Sequence, residues 1–180
     1  MSLIIDVVTA GNLVDMVNNN VKQYSSKVII ATEVSVKGFV DTVIKEINGD
    51  EKTKGKKISA LRIWGHAHLY KRLADGGLAD ATDGDVIFGS DTLSAETIDS
   101  YKDSLAPLAI YFAQPARAEL RGCHAALGEG KKMMTKLAAI WKVNVYASEN
   151  NQFQPSWSGR VCMTSPTIRC AERLGIEVAP

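Results

Sequence analysis

The sequence predicts an α/β fold, a three-layer α/β/α sandwich with a mainly parallel sheet, formed by a single domain over residues 1–180. Three observations carry this expectation. Short β-branched runs alternate with amphipathic stretches at helical spacing along most of the chain. Parallel strands need crossover connections, usually helices, so that alternation implies a parallel sheet with helices on its faces. At 180 residues, 46% hydrophobic and 23% charged, the chain is long enough for one self-sufficient core, since a protein of this size buries roughly 70% of its unfolded surface.

Taken in order, Leu3-Ile4-Ile5-Asp6-Val7-Val8 reads as a buried strand. Asn12 is placed to cap a helix whose Leu13, Val14, Val17 and Val21 fall on one face, with Asp15 near its positive end. Val28 to Ala31 is a second strand. Ser35 caps a helix carrying Phe39, Val40, Val43, Ile44 and Ile47, and Asn48-Gly49-Asp50 stops it. A third strand, Ile58 to Trp64, runs into Gly65-His66-Ala67-His68. Residues 71–93 are rich in Asp and Gly and hold one short strand, Val86-Ile87-Phe88; Asp83-Gly84-Asp85 reads as turn chemistry. Ser94 starts a helix through Ile98, Tyr101 and Leu105, which Pro107 restarts. The fourth strand, Ala118 to Arg121, leads into Gly122-Cys123-His124, followed by a helix with Met133, Met134, Leu137, Ile140 and Trp141 on one side. Val143 to Ala147 and Arg160 to Met163 complete the strands, with a polar loop from Ser148 to Gly159 between them.

Charge and composition narrow the function. Twenty-one basic residues against 20 acidic give a net charge of +1, without the electrostatic footprint of a nucleic-acid binder. The densest basic stretch, Lys52 to Lys57, contains Thr53 and Gly55 and reads as a solvated loop. No apolar run approaches the ~18 residues of a membrane span, and the first residues lack a signal-peptide pattern. Three cysteines argue against a disulfide framework and fit a cytoplasmic protein, with Cys162 and Cys170 read as packing residues. No cofactor is expected.

In open parallel sheets chemistry collects at the carboxyl ends of the strands. Every histidine of the chain, and Cys123, falls at the ends of the third and fourth strands. A thiol becomes a nucleophile when an imidazole within hydrogen-bond reach takes its proton. Adjacent strands each ending in a Gly turn would bring His66 and Cys123 to one edge, and backbone N–H groups after those turns would face a developing oxyanion.

The blocks Leu61-Arg62-Ile63-Trp64-Gly65-His66-Ala67 and Ala118-Glu119-Leu120-Arg121-Gly122-Cys123-His124 resemble the His and Cys blocks of caspase-like cysteine peptidases. Their His and Cys lie 57 residues apart, against about 50 in caspases. Over roughly residues 58–163 the pattern looks closest to bacterial caspase-like domains of unknown function. The resemblance implies His66 as general base, Cys123 as nucleophile, the backbone amides of Ala67 and Cys123 as oxyanion donors, and a peptide or protein substrate. It also suggests Arg121, Ser148, Glu149 and Trp157 as substrate-binding positions, Glu149 favouring a basic side chain before the scissile bond. The chain departs from the family in having Ala67 where Gly usually follows the His, and in Arg121-Gly122-Cys123-His124 where caspases carry Gln-Ala-Cys-Arg.

Two other functions fit the same residues. A non-catalytic binding or scaffolding module would keep the fold without turnover. A metal site could use His66 and His68, two apart on one face of an extended segment, with His124 or Cys123. Phe153 and Trp157 either line a pocket or tuck their loop onto the core.

Overall fold

The computed structural model of the protein describes residues 2–68, 70–72, 74–80, 83–150, 156–157, 159–167 and 171–173. Strand β1 spans Leu3–Val8. A 3₁₀ turn at Gly11–Leu13 leads into a short helix α1, Val14–Asn20, and the chain returns as β2, Lys27–Ile30, parallel to β1. Helix α2, Val36–Gly49, starts as its sequence predicts: Ser35 Oγ accepts from Gly38 N at 3.0 Å, satisfying one of the amides that a helix start leaves without a partner. Strand β3, Ile58–Trp64, then pairs with the other side of β1.

The Asp- and Gly-rich stretch holds more order than its composition suggests. Strands β4, Tyr70–Arg72, and β5, Leu78–Asp80, form one antiparallel pair, and β6, Val86–Phe88, and β7, Asp91–Leu93, form another. Three-residue strands are too short to show a period, so only β6, with its buried Val86 and Phe88, is legible in advance. The helix expected from Ser94 is corrected to a series of turns, with α3 confined to Lys102–Leu105 and a 3₁₀ segment over Ala106–Tyr111. Ser94 O does accept from Ile98 N at 3.0 Å. Thr97 Oγ1, however, bonds the backbone of Ser94 and of Thr92, and such local side-chain bonds compete with regular helix.

Strand β8, Phe112–Leu120, begins well before the expected start at Ala118, and Arg121 falls just past its end. Helix α4, Gly130–Trp141, strand β9, Asn144–Ser148, strand β10, Val161–Thr164, and strand β11, Ala171–Arg173, follow. Among the described residues a seven-stranded sheet runs in the order β11-β10-β9-β8-β3-β1-β2. Its central pairs are parallel, whereas β10 is antiparallel to both neighbours. The protein is therefore a mixed α/β fold with a mainly parallel sheet flanked by helices.

Alternation of side chains assigns the two faces. Ile5, Val7, Leu61, Ile63, Ala118, Leu120, Val145 and Ala147 belong to one large core, filled by Phe39, Val40, Val43 and Ile47 of α2 and Met133, Met134, Leu137 and Trp141 of α4. Each such large side chain contributes roughly 1.5–3 kcal/mol on full burial. On the other face, Val8 and Trp64 pack with Val17 and Val21 under α1. That face also carries one row of charge across three strands, because Asp6 is paired in register with Arg62, and Arg62 with Glu119.

Cys162 is 2% exposed, as a packing residue should be, and it is also disulfide-bonded. That bond corrects the reading of the cysteine count, since one cross-link needs no framework. Cys170 and Phe153 lie outside the described residues. No helix among the described residues is long and apolar enough to cross a membrane.

Candidate active site

The parallel pairing of β3 and β8 aligns Ile63 with Leu120. His66 and Cys123 each follow their member of that pair by three residues, so the strand ends carry them to the same edge of the sheet. Two glycines permit the approach. A Cβ on Gly65 would collide with Thr9 Oγ1, at the end of β1. A Cβ on Gly122 would sit 3.3 Å from Gly65 O and 3.8 Å from the His66 carbonyl. The turn before Cys123 therefore lies directly against the turn that carries His66. Arg121 N donates to Ile63 O at 2.7 Å, and Thr9 N to Trp64 O at 2.8 Å, which ties the ends of β8, β3 and β1 together.

Each histidine has its own partner. His66 is exposed, and its Nε2 lies 2.8 Å from Asn12 Oδ1. His66 O accepts from Ile87 N at 2.9 Å, and Ala67 is buried. His68 is clamped twice by Asp85, through its backbone N at 2.8 Å and its Nδ1 at 2.6 Å. His124 adopts a left-handed backbone (φ 55°) immediately after Cys123, its N donates to Asn150 O at 3.1 Å, and its Nδ1 lies 2.7 Å from Glu149 O. His66, His68 and His124 thus turn to three different places, and among the described residues no group of three His, Cys, Asp or Glu side chains is arranged to hold a metal.

The segment 83–85 is built into the same edge. Gly84 is packed so closely on the carbonyls of His124 and Ala125 that a Cβ there would collide with both. Asp83 Oδ1 accepts from Glu129 N at 3.0 Å, ahead of α4. What reads in sequence as turn chemistry also braces the His66–His68 turn against the turn after Cys123. Cys123 itself is half-buried and retains its thiol.

The four suggested substrate residues divide. Arg121 and Trp157 come together, the guanidinium lying 3.8 Å from the Trp157 ring centroid and 5.4 Å from that of Trp64. Arg121 is 4% exposed and donates to Glu119 through Nε at 2.9 Å. Glu149 is paired with Lys131 at 2.5 Å rather than presented as an open acid. Ser148 is fully buried, its Oγ accepting from Asn150 N at 3.0 Å.

Behind the site, burial pushes the Asp6 carboxyl above the ordinary carboxylate range; hydrogen bonds from Ser25 and Trp64 and the charge of Arg62 only partly oppose it. Glu119 ends on the other side. Burial would raise it, but the guanidiniums of Arg121 and Arg117 together outweigh burial and hold it below its ordinary value. None of this row stood out in the sequence as part of a site. The available signal was a charged residue embedded in each of three apolar strands, with signs that alternate across the sheet.

These elements define a mixed α/β protein in which the turns that carry the histidines and Cys123 lie at the carboxyl edge of a parallel sheet. A family model described as a domain of unknown function (DUF4347) matches residues 77–155. The matched stretch contains Asp85, Cys123 and the whole of α4, while His66 and His68 precede it. No curated protein matches the chain.

Proposed function

We propose that the protein is a caspase-like cysteine hydrolase that cleaves a peptide or related acyl bond through a thioester on Cys123. The observation that carries this reading is the seating of Gly122 against Gly65 and His66, which joins the two blocks at one strand edge. In the reaction His66 takes the Cys123 proton, the thiolate attacks the substrate carbonyl carbon, and the bond to the amine breaks as His66 returns the proton to it. Water, deprotonated by the same imidazole, then hydrolyses the thioester to free acid and thiol. Backbone N–H groups of Ala67 and Cys123 are the assigned oxyanion donors.

The proposed specificity changes. With Glu149 bonded to Lys131, the preference for a basic side chain loses its support. Arg121 is the cationic group closest in sequence to the thiol, but it is stacked and ion-paired. That commitment of Arg121 and Glu149 to protein partners favours one second reading, a non-catalytic module of the same fold. The disulfide at Cys162 also fits an oxidising compartment better than the cytoplasm expected from sequence.

Iodoacetamide separates the two readings. An ordinary thiol loses about ten-fold in alkylation rate per pH unit below about 8.5. At pH 6, peptide mass spectrometry should find Cys123 alkylated at least about ten-fold faster in the folded protein than in urea. Equal or slower labelling of the folded protein would support the non-catalytic reading.

A further inference from the structure

We propose that Asn12 is a positioning residue for His66, extending the pair to a Cys123–His66–Asn12 arrangement; this rests on the dyad proposed above. The sequence places Asn12 where a helix cap belongs, yet the helix does not use it. The residue at the cap of α1 is Leu13, that of the preceding 3₁₀ turn is Ala10, and neither end has a side-chain cap bond. The Asn12 carboxamide instead reaches 54 residues along the chain to His66 Nε2.

The chemistry of that contact fixes the ring. A carboxamide oxygen only accepts, so Nε2 carries the hydrogen of the neutral imidazole and donates to Asn12 Oδ1. The lone pair is then on Nδ1, which is the nitrogen left to take a proton. His68 shows the contrast: its Nδ1 faces a carboxylate, which assigns it the opposite tautomer. The scaffold under Asn12 is fixed relative to His66, because Val8 is paired in register with Trp64, Thr9 N and Oγ1 both bond Trp64 O, and Gly65 is packed on Thr9. Asn12 follows Val8 by four residues and His66 follows its register partner Trp64 by two, so the two turns leave neighbouring strand ends.

The test compares Asn12→Ala with Asn12→Asp, which keeps an oxygen acceptor. Asn12→Ala should slow iodoacetamide alkylation of Cys123 about ten-fold, the low end of what partners fixing a histidine's tautomer contribute. Asn12→Asp should retain the rate to within a few-fold. Nitrogen-15 spectra should show the Nε2–H form of His66 in the wild type, a mixture of tautomers in Asn12→Ala, and the Nε2–H form again in Asn12→Asp, a rescue that follows the oxygen acceptor. If Asn12→Ala alters neither rate nor tautomer while His66→Ala still slows labelling, the role of Asn12 is overturned and the dyad stands. A wild-type Nδ1–H form would overturn it equally. If His66→Ala leaves labelling unchanged, the dyad fails and the positioning role fails with it.

Discussion

Glu119→Gln should cost about 3–5 kcal/mol of stability, the range for removing one partner of a buried ion pair, read as a lowered urea midpoint at unchanged slope. Glu119 is 1% exposed and accepts from Arg121 at 2.9 Å and from Arg117 at 2.6 Å. Arg117 can turn to solvent when its partner is lost, but Arg121 is 4% exposed beside Trp64 and Trp157 and would lose the buried carboxylate that it is ion-paired with. The pH dependence follows in sign. Because the guanidiniums hold Glu119 below its unfolded value despite burial, its contribution is fully present above the ordinary glutamate range and is lost as pH falls through the folded value. Asp6 acts in the opposite direction: its value is raised by burial, so it favours the folded state most when protonated and least at neutral pH. The wild type should therefore lose stability in acid more steeply than Glu119→Gln, in which the term from Asp6 remains while that from Glu119 is gone. Parallel acid unfolding curves for the two proteins would contradict this assignment.

His66→Ala should lower the alkylation rate of Cys123 at pH 6 by about 100-fold, the lower end of what a positioned base contributes, with no comparable loss of stability. The ring of His66 is exposed, and the bond to Asn12 is worth only about 1 kcal/mol as an ordinary hydrogen bond. The backbone that seats the turn, from Thr9 N to Trp64 O and from Ile87 N to His66 O, is untouched by the change. His68→Ala serves as the control. Its imidazole is committed to Asp85, so the labelling rate of Cys123 should stay within about two-fold of the wild type, an effect too small for a positioned base. A larger loss in His68→Ala than in His66→Ala would move the base to His68.

The strands that build the edge were legible because their signals are local. Leu3–Val8 and Ile58–Trp64 are short, mostly apolar runs bounded by turn residues, and Ser35 caps α2 as its position implies. The His and Cys turns were legible for the same reason, each being a Gly at the end of such a strand. What escaped was long-range. Asn12 carries a capping signal that depends on its neighbours, and only the adjacency of β1 and β3 redirects its side chain to His66. Asp85 reads as a turn residue until β6 returns beside the third strand end and presents it to His68. The row from Asp6 through Arg62 to Glu119 depends on register, which no single strand encodes.

Whether Cys123 can carry an acyl group is tested by p-nitrophenyl acetate without knowledge of the natural substrate. The expected result is a stoichiometric burst of nitrophenolate with the acetyl group on Cys123, absent in Cys123→Ser and slowed about 100-fold in His66→Ala. Acetylation that bypasses Cys123, or proceeds at the same rate without His66, would contradict it.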